Sequence, residues 1–582
     1  MEKTIMHYKN FKTVVYLPAW IARSITKEKL SSDYDFLEKY IGLDKIYLET
    51  HRESTDVSKE QLYMIKEFLE SKGVEVSGGV TTVTPDFEGA VPGKRRLFNT
   101  LCYTDPAMRD KVKQMSEYAA SIFDEVILDD FYFTNCTCDT CIKAKGDRDW
   151  ATFRRELMRE VSEDLIVGPA RKINPNIKMI VKYPNWRESY HFTGYLPHDQ
   201  QSIFDATYTG TETRSPKYAD QHLPEYLSYS LMRYIDNAWP GRNGGGWFDT
   251  YQCWSADRYL EQAYLTAFAK PKEMMFFQWS DLIDNHMVGG VGIQLKKLDD
   301  MLDDIGEPTG IPTYIPYESS GENHVEMRLG MLGIPIETTP VFPKNKKIIM
   351  LTESSACDDN VVDCLKKFVE EGGDAVITTG FMLRKQEELR RIGMTEAEVT
   401  GRKLSVTRYQ IGSDLAGYID DAKPILFPEL VHGNNDSWSL LNGGDGDYHT
   451  PLMLESTYGK GRIMILSIPD NPSDLYRLPC QVIDTFKKAV QPDGFASGKD
   501  FSMFTYDDGS MIFYRYVKGD IRPSHVKVYT TKEVKCLKDM ITGDDIEVSS
   551  VNVWEYWRKK TYTVADIILE PGTFRKFKWE TV

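Results

Sequence analysis

Residues 124–150 read Asp124-Glu-Val-Ile-Leu-Asp-Asp-Phe-Tyr-Phe-Thr-Asn-Cys-Thr-Cys-Asp-Thr-Cys-Ile-Lys-Ala-Lys-Gly-Asp-Arg-Asp-Trp150. Val126, Ile127 and Leu128 form a short β-branched and aliphatic run, the pattern of a parallel strand buried on both faces. The run stops at Asp129-Asp130. Two acids in that place have two readings: caps of the following turn, or side chains held at the carboxyl end of a (β/α)8 barrel strand, where such barrels keep their active sites. Further on, Cys136-x-Cys138-x-x-Cys141 brings three thiols within reach of one tetrahedral ion, and Cys102, just before Thr104-Asp105-Pro106, supplies a fourth. Four thiolates leave no open position, so structural zinc would staple the loop and take no part in chemistry. Disulfides are the alternative; Cys136 and Cys138 are too close to bridge easily, and no secretory signal argues for an oxidising compartment.

Outward from this stretch, strand-like and helix-like segments alternate through the first 300 residues, the pattern of βα units. Strand one is expected at 13–20, two at 45–49, three at 74–80, five at 178–183, six at 204–208, seven at 247–251 after the glycine run Gly244–Gly246, and eight at 273–279. Eight units in this length predict a TIM barrel over 1–308, with an open doubly wound sheet as the alternative. A Rossmann-like α/β domain is expected over 309–496, from runs such as Ile348–Leu351 and Ala375–Thr379. Short alternating runs after 497 predict a small antiparallel β-sandwich over 497–582.

The chain has 582 residues, too many for one core. Asp and Glu total 87 against 71 Lys and Arg, a net charge of −16 with no basic block, which argues against nucleic acid or an anionic membrane as partner. No window approaches a membrane-spanning length of apolar residues, and the amino terminus lacks an apolar leader core, so the expected location is cytoplasmic, or periplasmic if a leader has been removed. Seven of the eleven Trp precede residue 300, a mild lean toward sugar binding, since sugars stack on flat aromatic faces.

Acids at the end of strand four, the C-x-C-x-x-C motif, a helix starting Trp150-Ala-Thr-Phe-Arg-Arg and an earlier Cys before Asp-Pro together resemble the β-galactosidases of glycoside hydrolase family 42. The resemblance implies a four-cysteine zinc site at Cys102, Cys136, Cys138 and Cys141. It also implies that 309–496 is an amidotransferase-like domain and that the chain forms a homo-oligomer, a trimer or a dimer. The family carries Asn-Glu where this chain has Asp129-Asp130, so the chain is not a typical member and the β-galactosidase activity does not carry over.

Glycoside hydrolysis needs two carboxyl groups, one protonated and one ionised. The strand ends offer Asp129 and Asp130, Glu212 in Gly-Thr-Glu-Thr-Arg214, Asp249 between Trp247 and Tyr251, and Asp281. Strand alternation puts Asp129 and Asp130 on opposite faces. By the resemblance, Asp130 occupies the catalytic slot and Asp249 lies near the family's strand-seven nucleophile. α-Galactosidases and α-fucosidases keep a nucleophilic Asp at the end of strand four. The leading expectation is Asp130 as nucleophile with Glu212 as acid/base, the latter's pKa lowered if it pairs with Arg214. His51, Arg52, Lys182, Asn185, Trp186, Arg214, Trp247, Trp279 and Asp281 are the expected substrate contacts. The expected function is an exo-acting, retaining glycosidase cleaving a terminal α- or β-galactoside or fucoside from oligosaccharides. The alternatives are a barrel that binds carbohydrate without turnover and a metal-dependent hydrolase.

Overall fold

The computed structural model describes residues 7–90, 97–285, 287–319, 324–412, 418–433, 437–519, 521–555 and 558–582. The first six residues, part of the amino-terminal reading above, lie outside them. The chain divides into two compact units, Met1–Asp303 and Asp304–Val582.

The first unit is a closed barrel of eight parallel strands: β1 Lys12–Leu17, β2 Lys45–Arg52, β3 Glu75–Val80, β4 Glu125–Leu128, β5 Lys178–Tyr183, β6 Ala206–Gly210, β7 Asn243–Asp249 and β8 Glu273–Phe277. Each strand pairs in parallel with its successor, and β8 pairs with β1, with Val14 opposite Met275. Closure of the sheet excludes the open doubly wound alternative. Helices between the strands begin where capping chemistry allows. Asp105 accepts from the Met108 amide at 3.0 Å ahead of Pro106–Ala120, and Asp149 accepts from the Thr152 amide at 2.9 Å ahead of Trp150–Val161.

Inside the barrel, Val14, Tyr16, Tyr47, Ile127, Ile180, Tyr208, Trp247 and Met275 form one packed cluster. Below it, the starts of the strands converge on buried Lys45, whose Nζ lies 2.6 Å from Glu125 and 3.0 Å from Glu273. Strand seven differs from its expected span. The glycine run expected to precede it lies inside β7, because the strand passes too close to its neighbours for side chains. A Cβ on Gly245 would stand 2.0 Å from the Glu273 carbonyl oxygen, and one on Gly246 would stand 2.3 Å from the Thr266 methyl.

The second unit contains five parallel strands in the sheet order Ile336–Thr339, Ile311–Tyr314, Ile348–Leu351, Asp374–Thr378 and Gly461–Leu466. Four antiparallel strands, including the long pair Glu398–Ile411 and Tyr418–Val431, extend that sheet. A six-stranded and a three-stranded antiparallel sheet follow, with their own core around Phe501, Phe513, Leu537 and Phe577. Among the described residues, no helix is long and apolar enough to cross a membrane.

Candidate active site at the carboxyl end of the barrel

β4 ends at Leu128, one residue before the acids, so strand alternation does not govern them. The expectation of opposite faces is corrected accordingly: both carboxylates reach the Lys182 ammonium at the end of β5. Its Nζ is 2.8 Å from Asp130 Oδ2 and 3.8 Å from Asp129 Oδ1. A third carboxylate comes from the segment after β6, with Glu212 Oε1 at 2.9 Å. Beneath them the Lys182 Nζ lies 4.1 Å from the centre of the buried Trp247 ring, which stacks on Phe277.

Asp129 is further held by Arg52 and by the Thr81 hydroxyl, and it accepts from the Asp130 amide at 2.7 Å. Arg52 also pairs with Glu49 at 3.0 Å and lies against the rings of Trp20, Phe131 and Phe277. Glu49 is fully buried and takes hydrogen bonds from Tyr16 Oη at 2.8 Å and the Ala19 amide at 2.7 Å.

These contacts separate the carboxyl groups. Burial, then the neighbouring charges of Asp129 and Glu212, push Asp130 up to about 7 against the pull of Lys182. Burial opposes ionisation of Asp129 too, but Arg52, Lys182 and the Asp130 amide outweigh it and hold Asp129 below its ordinary value. Burial also works against the Lys182 charge, and Asp130, Glu212 and Asp129 outweigh it, so the proton stays on the amine. Solvent reaches the Asp130 side chain (19% exposed) more than Glu212 (4%).

The conditional pairing of Glu212 with Arg214 is not found among the described residues. Arg214 instead grips Asp249 through Nε at 3.1 Å and Nη2 at 2.8 Å, because its backbone turns into the left-handed region (φ 55°) and its amide bonds Gln262. Asp249, the alternative nucleophile, is thus already committed to a bidentate ion pair. Asn185 supports the site from behind, donating to the Glu212 carbonyl at 2.7 Å. Asp281 is half-buried and accepts from Gln278 at 2.8 Å; burial, then Asp249 and Asp284, raise its pKa.

Of three further expected contacts, His51 and Trp279 are committed to other partners, while Trp186 adjoins Tyr195, whose hydroxyl donates to the Asp130 carbonyl at 2.6 Å. His51 is buried, with Nδ1 2.7 Å from Asp56 and Nε2 3.1 Å from the Val83 carbonyl. Trp279 is buried and donates its indole N–H to Asp33 at 3.0 Å. Trp186 packs in an aromatic cluster with Phe133, Tyr190 and Tyr195. Glu49 was missed, although an acid near the end of β2 is the same signal that singled out Asp129.

Cys102, Cys136, Cys138 and Cys141 are all buried, and their sulfurs lie within 4.8 Å of one another. Cys102 Sγ stands 3.6 Å from that of Cys138 and 3.5 Å from that of Cys141. Four sulfurs each about 2.3 Å from a central zinc stand about 3.8 Å apart, so the cluster fits the ion.

Residues 2–294 match a family profile described as "Probable glycosyl hydrolase, catalytic domain", and residues 306–471 match one described as "Uncharacterized protein SSO3021, second domain". The uncharacterized protein SSO3021 of Saccharolobus solfataricus is 29% identical over 504 residues, covering 79% of this chain and 82% of that protein. The β-galactosidase of Bacillus circulans sp. alkalophilus shares the fold at 12% identity and a TM-score of 0.65, over 98% of this chain and 99% of its own. Gan42B, a GH42 β-galactosidase from G. stearothermophilus, does so at 13% identity and a TM-score of 0.62, over 99% and 100%. With its barrel matched from end to end by the first profile, over half of its length, the chain belongs to this glycosyl hydrolase family and is a glycosidase.

Proposed function

We propose that the protein is a retaining, exo-acting glycosidase that removes a terminal galactoside- or fucoside-type sugar from oligosaccharides, with Asp130 as acid/base and Glu212 as nucleophile. The observation that carries this reading is the pair itself: two carboxyl groups share one buried ammonium, and the one that solvent reaches is held near pKa 7. That arrangement favours the reverse of the roles expected from sequence. Asp130 in its acid form gives its proton to the glycosidic oxygen as the C1–O bond breaks, while Glu212 attacks C1. Asp130 as carboxylate then takes a proton from the water that releases the sugar.

Oxygens bonded to one ammonium at 2.8 and 2.9 Å are no further apart than the sum of those lengths. This favours the close class of carboxyl pair, about 5–5.5 Å in retaining enzymes against about 6.5–9.5 Å in inverting ones. The β-galactosidase fold neighbours make β-galactosides the first substrates to try. The Lys182 ammonium already stands among the three mouth carboxylates, which favours this reading over a metal-dependent hydrolase.

Azide rescue tests the roles. With an activated aryl glycoside, Glu212→Gly plus azide is expected to yield a glycosyl azide of inverted configuration, and Asp130→Gly plus azide one of retained configuration. Rescue of Asp249→Gly instead would move the nucleophile to β7.

Zinc in the four-cysteine cluster, with a stapling role, belongs to the same reading, as do domain boundaries after residues 308 and 496 and assembly as a trimer or dimer. The separate cores of the second unit support a division in this region, with Ala496 itself packed in the later core.

A further inference from the structure

We propose that Lys182 is a positioning residue whose ammonium, placed between Asp130 and Glu212, fixes Glu212 at its station beside Asp130. The inference rests on the reading of Asp130 and Glu212 as the reacting pair, and it assigns Lys182 a task other than contact with substrate.

The bonding of each carboxylate at the barrel mouth makes the case. Asp129 is held by Arg52, Thr81 and a backbone amide, and Asp249 by both arms of Arg214. Glu212 has no such redundancy. Lys182 supplies the hydrogen bond to its Oε1, and its Oε2 is buried with no partner among the described residues. A buried carboxylate with one charge-assisted bond depends on that bond for its place.

The groups facing Lys182 are Asp129 and Asp130 after β4, Glu212 after β6 and the Trp247 ring on β7; behind them stand Arg52, bound to Asp129, and the Arg214–Asp249 pair. Three carboxyl groups around one amine keep it protonated, so Lys182 is unsuited to attack a carbonyl as a free amine. Its own side chain is 2% exposed, which leaves charge compensation as its task.

The test compares Lys182→Met with wild type on whichever nitrophenyl glycoside the wild type cleaves. Without the cation, Glu212 loses the bond at its Oε1 and with it its place in the pair. The expected result is a fall in kcat of about 10²-fold or more with KM little changed. A melting series adds Lys182→Met/Glu212→Gln, in which the neutral amide needs no cation. The double variant is expected to regain most of the melting temperature that Lys182→Met loses, including the case where Lys182→Met alone fails to fold. A rate loss carried mainly by KM, or a double variant as unstable as the single, overturns the proposal. If Asp130→Asn and Glu212→Gln both keep full turnover, the assignment of the pair fails instead, and the melting series still reads the Lys182–Glu212 coupling on its own.

Discussion

The unpartnered Oε2 of Glu212 stands 2.6 Å from the point where a Cβ on Gly210 would lie. The Asn185 backbone nitrogen and the Tyr183 carbonyl oxygen also lie near that point, both at 3.1 Å. An alanine at 210 therefore displaces the Glu212 carboxylate and leaves the strand in place. Gly210→Ala is expected to lower kcat/KM about 10²-fold, the cost of a misplacement of about 1 Å. Its unfolding free energy should fall by no more than about 1–3 kcal/mol, as for overpacking elsewhere. Steady-state kinetics beside urea unfolding check both; full activity would detach Glu212 from the chemistry.

The pH profile follows from Asp130. The first step needs its proton, and with a pKa of about 7 that proton is lost as pH rises through neutrality, so kcat/KM is expected to fall on the alkaline side with a midpoint near 7. Asp129, held low by Arg52, stays ionised throughout and adds no limb there. In Asp130→Asn the alkaline limb disappears. Substrates with a dinitrophenyl leaving group, which need no acid assistance, should keep much of their rate of glycosylation.

At the opposite end of the barrel, Lys45 compensates Glu125 and Glu273 in near-complete burial. Lys45→Met leaves those carboxylates without their shared cation and is expected to cost about 3–5 kcal/mol of stability. Partial burial works against the Glu125 charge, yet Lys45 and Lys178 bring its pKa down to about 2, below its unfolded value. Its contribution is therefore present above pH 4.5 or so and lost as pH falls toward 2. Thermal midpoints between pH 2 and 6 should show a flatter acid slope in the variant than in wild type.

One zinc per chain is expected by elemental analysis of protein purified without added metal. Cys138→Ser is expected to lose the ion and to expose the segment between Asp130 and Trp150 to proteolysis. Glycosidase activity should fall only as far as that loop supports the β4 acids.

Eight strands were legible because each carries its own apolar run and the spacing left room for a helix after each. The boundaries of β7 were not, because glycines expected ahead of the strand are required inside it by Glu273 on β8 and Thr266 on the helix that follows. The mouth residues were legible as a set, since acids at strand ends need a reason. Their partners were not: whether Arg214 meets Glu212 or Asp249 depends on the backbone turn at Arg214, and that the two β4 acids share Lys182 depends on β4 stopping at Leu128. The raised pKa of Asp130 followed only from those contacts.

The most direct test of the central claim is hydrolysis of nitrophenyl α- and β-glycosides of galactose, fucose, glucose, mannose and arabinose by wild type, Asp130→Asn and Glu212→Gln. The account predicts release of nitrophenol from one sugar by wild type and a loss of about 10³-fold or more in Glu212→Gln, with Asp130→Asn slowed and without its alkaline limb. Undiminished activity in both variants would contradict it.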